Sequence, residues 1–147
     1  MESNNQALRE TIKQFLNAHR KAVFAILDKD GLPTTSLMLY AIDDDLNVYF
    51  GTRKAFAKYS EILRSPTVSL SVIEEALDPL KVTDIRGTVT EVPSEELEKI
   101  HAFFKTKNPS KYYVEGADDF TMFTLKPNFI RWLDAETGEL KITDFPV

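Results

Sequence analysis

Hydrophobic residues near the amino terminus recur at three- and four-residue spacing, which is the period of an amphipathic helix. This stripe predicts a helix over residues 5–19 and consists of Leu8, Ile12, Phe15, Leu16 and His19. The same spacing predicts a second helix, ended by Pro66, whose apolar face consists of Phe56, Tyr59, Ile62 and Leu63. A third helix, with Ser94 as its capping residue, has a stripe of Leu97, Ile100, His101 and Phe104. All three are expected to lie against a sheet or barrel.

The remaining apolar runs are short and bounded by turn residues, which is typical of β-strands. The predicted strands cover residues 22–28, 34–42, 48–50, 67–73, 81–92, 120–125, 128–134 and 139–143. Gly51 and Thr52 are expected to end the third strand and Pro127 the sixth, while Gly87 predicts a bulge. The first three strands are expected to form an antiparallel meander. Short turns between consecutive strands predict an antiparallel barrel with flanking helices, of mainly β or α+β class.

The length and composition indicate one globular domain over residues 1–147. The formal net charge of −5 and the pI near 5.1 argue against nucleic-acid and membrane-surface partners, since both need a basic face. Cysteine is absent, which excludes disulfides and thiolate chemistry and fits the reducing cytoplasm, the expected location. No apolar run reaches the roughly 20 residues of a membrane helix, and the polar amino terminus lacks a signal-peptide core.

A short segment of this acidic chain is basic. Arg53, Lys54, Lys58 and Arg64 are accompanied by one acid, Glu61, so the segment has a local net charge of +3. This charge predicts a site for a particular anion, and the plain alternative is a solvated helix face. With two histidines far apart in sequence and no cysteine, neither a metal site nor a Ser-His-Asp arrangement is predicted.

Several short motifs occur in the order found in a known family. They are Gly31-x-Pro33, Phe50-Gly51-Thr52, Lys58 in K-x-x-x-x-L-x-x-P before Val68 and Leu70, Gly87, and Pro127 before Ile130-Arg131-Trp132. Over residues 5–134 the chain thereby resembles the pyridoxamine 5′-phosphate oxidase-like FMN-binding split barrels, and among them the small general-stress-protein members. The resemblance implies a six- to seven-stranded antiparallel split β-barrel with flanking helices, forming a single FMN-binding domain.

The resemblance also implies a homodimer with FMN at the subunit interface. The residues implied to contact the cofactor are Thr35, Ser36, Leu37, Gly51, Thr52, Lys54, Lys58 and Trp132. The first three lie on the strand along the flavin, and the glycine and second threonine meet its ribityl or phosphate end. The lysines bind the phosphate, and the tryptophan borders the ring system from the second subunit. The side chains suit these roles, because a phosphate monoester needs charge-assisted donors and an indole can cover an apolar ring.

The chain departs from the true oxidase at positions that hold its substrate and part of its cofactor. Thr35 replaces an arginine, Tyr40 replaces a lysine, and Ala57 replaces an arginine beside the phosphate-binding lysine. The Arg-x-His element that follows the tryptophan is absent from residues 138–143. We therefore expect no physiological pyridoxamine phosphate oxidase activity, and Arg53 or a neighbouring lysine would have to compensate for the missing arginines.

Two functions of different class are open. The first is an FMN-dependent oxidoreductase with an unassigned small-molecule substrate and no assigned catalytic residue, because the flavin carries the chemistry. The second is a non-catalytic flavin-binding or stress-related protein. A relative that binds the deazaflavin F420 is a further alternative, whereas heme is disfavoured because no cysteine or well-placed histidine offers an axial ligand. Tyr112 and Tyr113, in an irregular aromatic segment, are candidates for the pocket lining.

Overall fold

The computed structural model describes residues 2–109 and 118–146, with side chains from residue 5 onward. The helices of this part are α1 (Glu2–Ala18), α2 (Ala57–Arg64) and α3 (Leu97–Lys107). Its strands are β1 (Lys21–Leu27), β2 (Pro33–Leu39), β3 (Ala41–Ile42), β4 (Val48–Arg53), β5 (Thr67–Ile73), β6 (Lys81–Glu91), β7 (Phe120–Asp134) and β8 (Lys141–Pro146). The aromatic segment with Tyr112 and Tyr113 lies outside the described residues. None of the described helices is long and apolar enough to cross a membrane.

The described strands form one antiparallel sheet in the order β2-β1-β5-β6-β7-β4-β3, with β8 added to β7. The sheet curls into a half-barrel flanked by the helices, which confirms the predicted class. Because β3 has only two residues, seven strands have ordinary length, in agreement with the predicted number. The predicted bulge is also confirmed, since the register between β6 and β7 shifts between Arg86 and Gly87.

The prediction of one strand over residues 34–42 is wrong, because the chain changes partner at Tyr40. β2 pairs with β1, whereas β3 pairs with β4 at the other end of the sheet. Tyr40 is fully buried at this crossing, and its hydroxyl donates to the Leu16 carbonyl over 2.7 Å. Asn108 Nδ2 donates to the Tyr40 carbonyl over 2.8 Å. The predicted meander is confirmed in part: β1 pairs with β2, and residues 41–42 of the predicted second strand pair with β4, but β2 itself does not.

Two predicted strand ends are also wrong. β4 continues through Gly51 and Thr52, because all six of its residues pair with β7. β7 continues through Pro127, so the two strands predicted around this proline are one element of 15 residues. On one side β7 pairs with β4 up to Leu125 and with β8 from Phe129 onward. The proline lies between these partners, where its missing N–H removes no hydrogen bond to either.

The second and third helices begin later than the sequence pattern predicts. α2 begins after Phe56, which is exposed. Of its predicted apolar face, Ile62 is buried but Leu63 is exposed, because the helix is only eight residues long and contacts the sheet on one narrow side. α3 begins after a separate turn at residues 93–96, so Ser94 does not cap it.

Two apolar clusters stabilise the fold. The larger one fills the half-barrel and includes Phe24, Phe50, Leu70, Phe123 and Ile130. The smaller one lies between the sheet and α3 and consists of Ala41, Val92, Phe104 and Met122, with the predicted stripe residues Leu97 and Ile100 packed against it. Because side chains fill the interior, a ligand larger than a few atoms is expected to bind on the outer surface of the sheet.

The carboxyl end of α3 places a cation next to the end of α1. Lys107 Nζ donates to the Leu16 carbonyl over 2.9 Å and lies 3.8 Å from the centre of the Tyr40 ring. Burial lowers the pKa of Lys107 to about 8, and repulsion from Arg20 acts in the same direction. The folded protein therefore holds a partly desolvated ammonium at neutral pH, which lowers its stability there.

We expect Gly87→Ala to destabilise the protein by about 3 kcal/mol. A Cβ atom at residue 87 would lie 2.1 Å from the backbone oxygen of Lys126, so β6 and β7 would have to separate. Gly138→Ala is the matched control. Its φ is +85° but nothing lies within 4 Å of the added atom, so we expect a loss of about 1 kcal/mol. Urea unfolding measures both, and equal losses would contradict the close approach of the strands.

We expect the stability of the protein to rise with pH above the pKa of Lys107, about 8. Above that pH and up to the ordinary value of 10.5, the unfolded chain keeps a proton that the folded protein has lost. The free energy of unfolding should rise by about 1–2 kcal/mol between about pH 7.5 and 9.5. Lys107→Met should remove this rise, whereas Lys99→Met, on the exposed side of α3, should keep it. Urea unfolding at both pH values measures this rise. A rise in Lys107→Met equal to that of the wild type would contradict a desolvated ammonium.

Candidate functional site

An open cleft lies on the outer face of the sheet beside the carboxyl end of α1. The pairing of β1 with β2 and β5 places Leu37, Val23 and Ser71 side by side on this face. The cleft, which we call the β1 cleft, has a volume of about 500 Å³ and is also lined by His19 and Glu74. Leu37 is 66% exposed and Val23 is also exposed, so the floor of the cleft is apolar and accessible.

His19 and Glu74 close one end of the β1 cleft. His19 Nδ1 lies 2.7 Å from the Phe15 carbonyl, and Nε2 lies 3.0 Å from Glu74 Oε2. These two contacts engage both nitrogens of the imidazole ring. Desolvation acts to raise the pKa of Glu74, but the N–H groups of Ala76 and Glu75 and the His19 ring outweigh it and lower the pKa. Sequence reasoning missed this pair, because nothing local connects residues 55 positions apart.

The predicted residues of β2 lie on opposite faces of the strand, as the alternation of side chains requires. Thr35 and Leu37 point outward, and Leu37 lines the β1 cleft. Ser36 points inward opposite Phe24, and its Oγ is buried with no hydrogen-bond partner in the described part of the chain. A buried hydroxyl without a partner is available to a ligand or to an ordered water.

Gly51 and Thr52 lie in β4, shortly before α2. Thr52 is 6% exposed and pairs with Thr121, and its buried Oγ1 has no partner among the described residues. The neighbouring groups are engaged, since Thr121 Oγ1 donates to Glu91 Oε2 over 2.7 Å and the Tyr59 hydroxyl donates to Oε1 over 2.8 Å. Thr52 thus provides a second unused hydroxyl among the predicted site residues.

Arg53 and Lys54 each have a carboxylate close by. Arg53 Nε donates to Asp119 Oδ1 over 2.9 Å, and this bond lowers the pKa of Asp119. The same carboxylate accepts the N–H of Ala55, so Arg53 is held at the start of the turn before α2. Lys54 Nζ lies 3.9 Å from Glu91 Oε2 and is half exposed. Arg53 is therefore poorly placed to compensate for a missing arginine.

Lys58 differs from these two cations because no carboxylate of the described residues lies within salt-bridge distance of it. It lies on the same side of α2 as the buried Ile62, one helical turn away, and its side chain is half-buried. Desolvation lowers the pKa of Lys58, although the charge of Glu61 opposes the shift. Within the described residues Lys58 forms no salt bridge. Its ammonium is partly removed from water without a compensating charge at hydrogen-bond distance.

Trp132 lies in the core of its own chain. It is 4% exposed and packs edge-on against Phe15, with 5.1 Å between the ring centres. Its Nε1 donates to Asp134 Oδ2 over 2.7 Å. The structure therefore gives Trp132 a packing role, and its contact with a flavin from a second subunit stays a prediction.

The predicted site residues fall in three places. Thr35 and Leu37 lie on the outer face, Ser36, Thr52 and Trp132 point into the half-barrel, and the two lysines lie at α2 next to Gly51. α2 contacts both β4 and β1, the strand that pairs with β2. Among the described side chains, no hydrogen bond or ion pair joins any two of these eight, and no group of three or more acidic or histidine residues could hold a metal ion.

The chain matches the family model described as pyridoxamine 5′-phosphate oxidase over residues 8–132. No curated protein sequence matches it significantly. A heme-binding protein from Mycobacterium smegmatis superposes with a TM-score of 0.76 at 16% identity, over 92% of this chain and 57% of the other. A putative pyridoxamine 5′-phosphate oxidase from Listeria innocua gives 0.70 at 21%, over 85% and 97%.

A structure named F420 reductase superposes with a TM-score of 0.63 at 23% identity, over 76% of this chain and 88% of the other. The chain spans a little over half the length of the M. smegmatis protein. At these identities the likeness extends to the fold alone.

Proposed function

The chain belongs to the pyridoxamine 5′-phosphate oxidase family, and from this premise we propose that it binds FMN and acts as a flavin-dependent oxidoreductase on a small-molecule substrate. The observation that carries the proposal is the half-buried ammonium of Lys58, which has no salt bridge among the described residues. When bound, the flavin supplies the redox chemistry. The protein supplies binding, orientation and exclusion of water.

A phosphate would compensate the partly buried ammonium of Lys58 better than water does. A partly buried ammonium is unfavourable unless an anion or several acceptors compensate it, and a phosphate monoester carries roughly −2 charge near pH 7. A hydrogen bond between two such charged groups stabilises a complex by roughly 1.5–3 kcal/mol. Lys54 is a weaker candidate, since the Glu91 carboxylate next to it would repel a phosphate. We therefore assign the main phosphate contact to Lys58.

One hydroxyl group of the predicted site can reach a ligand on the outer face. Ser36 and Thr52 point into the filled half-barrel, so their buried hydroxyls are assigned no contact with the flavin. Thr35 offers an O–H donor on the outer face. Next to it, Leu37 and Val23 form the apolar floor of the β1 cleft, which suits the face of a planar ring system.

The proposed activity differs from that of the true oxidase. Where that enzyme has a lysine, this chain buries the Tyr40 ring in its core, and the Tyr40 hydroxyl is used by the Leu16 carbonyl. Ala57 has no polar side chain to replace the second arginine. The Arg-x-His element that the oxidase uses on its substrate is also absent from residues 138–143, which supports a different substrate.

We propose a homodimer that places the flavin between two outer faces. One row across β5, β6, β7 and β8 consists of Ile73, Val82, Leu133 and Ile142. Its two end residues are exposed, as are Val23 and Leu37 on the neighbouring strands. Contiguous exposed apolar side chains of this kind mark an interaction surface. A second copy of the same face would cover them and the β1 cleft together.

Heme and F420 are the competing ligands, because two similar structures have these names. His19 is a poor axial ligand, since Phe15 and Glu74 engage both of its ring nitrogens. A deazaflavin would use the same lysine for its phosphate, so only a direct comparison separates it from FMN.

We expect Lys58→Met to weaken FMN binding about 10- to 100-fold, because it removes the phosphate contact and keeps most of the apolar packing. Titration of FMN with the purified protein, followed by flavin fluorescence, measures the dissociation constant. Lys29→Met, in the exposed turn between β1 and β2, is the control and should leave the constant unchanged. Unchanged affinity in Lys58→Met would remove this lysine from the site.

The visible spectrum after gel filtration tests the cofactor itself. A retained flavin band supports the proposal, and reduction of that band by a nicotinamide cofactor supports an oxidoreductase. A bound flavin that no donor reduces would favour a non-catalytic flavin-binding protein. A colourless protein that releases FMN but retains F420 or hemin would overturn the FMN proposal.

We expect Ile142→Lys to weaken the dimer at least tenfold, because it places a charge inside an apolar interface. Sedimentation velocity over a dilution series measures the dimer dissociation constant. Leu63→Lys is the matched control, since this leucine is equally exposed but lies on α2, away from the outer-face row. A monomeric wild type, or equal effects of both variants, would argue against this interface.

A further inference from the structure

A second cleft lies next to the β1 cleft on the outer face of the sheet. It has a volume of about 390 Å³ and is lined by Ser69, Ser71, Asp84, Arg86, Phe129 and Arg131. Ser71 lines both clefts, so the two adjoin on the outer face. We propose that this second cleft, the Arg86 cleft, is the substrate subsite and binds the carboxylate group of a small organic acid. The proposal rests on the proposed flavin function.

Arg86 supplies the charge. Its guanidinium lies over the Phe129 ring, 4.7 Å from the ring centre. This stacking limits the orientations of the planar group, and Arg86 lines the cleft, where its N–H groups can bind a carboxylate with two parallel hydrogen bonds. Within the described residues, no acidic group lies within salt-bridge distance of Arg86. Its charge is therefore available to a ligand.

The other charged groups of the cleft have hydrogen-bond partners of their own. Arg131 Nε and Nη2 donate to both carboxylate oxygens of Asp144, over 2.7 and 2.9 Å. Asp84 accepts a hydrogen bond from Ser71 Oγ and lies near Arg131, whose pKa it helps to raise. Asp84 would repel an anion placed over Ser71, so the carboxylate is expected on the Arg86 side of the cleft and an uncharged or donor group next to Asp84.

The position of the Arg86 cleft suits a molecule that reacts with a ring in the β1 cleft. The register places Leu37, Val23, Ser71 and Asp84 in one row, each on the next strand. Arg86 lies on β6 two residues from Asp84, opposite Ser69. A strand spacing of about 4.8 Å and a rise of about 3.4 Å per residue place it roughly 8 Å from Ser71, so a substrate of that length would reach a ring over Val23 and Ser71. The carboxylate would thus anchor the substrate while its body extends toward the ring.

Benzoate and its uncharged isostere benzamide test the subsite. We expect benzoate to bind the FMN-loaded protein at least tenfold more tightly than benzamide, measured from the change in the flavin absorption spectrum. Arg86→Gln should weaken benzoate at least tenfold and leave benzamide and FMN affinity unchanged. Arg64→Gln, at the end of α2, should change none of these constants. Arg86→Lys keeps the charge without the planar fork, so we expect a benzoate affinity between those of the wild type and Arg86→Gln.

The outcomes separate this proposal from the flavin proposal. Equal affinity for benzoate and benzamide, or equal effects of Arg86→Gln and Arg64→Gln, would overturn the carboxylate subsite while FMN binding stands. If FMN does not bind, a rise in melting temperature with benzoate that is lost in Arg86→Gln would support the anion site without the flavin. The absence of that rise would overturn both the flavin proposal and the carboxylate subsite. If Arg86→Gln does not fold, Arg86→Lys carries the test, and benzoate affinity equal to wild type in that variant would contradict bidentate binding.

Discussion

The ladder between β6 and β7 is the interaction on which the rest of the structure depends. All 11 residues of β6 pair with β7, and at Gly87 the two backbones approach so closely that no side chain fits between them. On its other side β7 pairs first with β4 and then with β8. One long strand therefore connects the two parts of the curled sheet, and the bulge lets it do so without a break at Pro127.

The curl of the sheet determines where a ligand can bind. The half-barrel is filled by a cluster of aromatic and branched residues, so its interior has no room for a cofactor. The outer face instead carries two adjoining clefts and an exposed apolar row. The outer face is therefore the surface on which the proposed second copy and the proposed flavin would lie.

The cations of the described residues differ in whether a carboxylate engages them. Lys81, Arg53 and Arg131 each have a carboxylate within 2.9 Å, and such exposed pairs contribute little to stability. Lys58 and Arg86 differ, because one is partly desolvated and the other is held on an aromatic ring, and neither has an acidic partner among the described residues. A cation with restricted freedom and no partner is a better candidate for ligand binding than one on a solvated surface.

The sequence by itself determined the three helices, most of the strands, the bulge at Gly87 and the family, because periodicity and turn residues act locally. The sequence pattern predicted strand ends at Gly51 and Pro127 and missed the change of partner at Tyr40. The choice of partner strand depends on which sheet edge is free after folding, and a local pattern does not contain that information. The pairing of His19 with Glu74, the engagement of Arg53 by Asp119 and the isolation of Lys58 were decided only by the tertiary structure. These features depend on distances between residues far apart in the chain, and no local pattern encodes them.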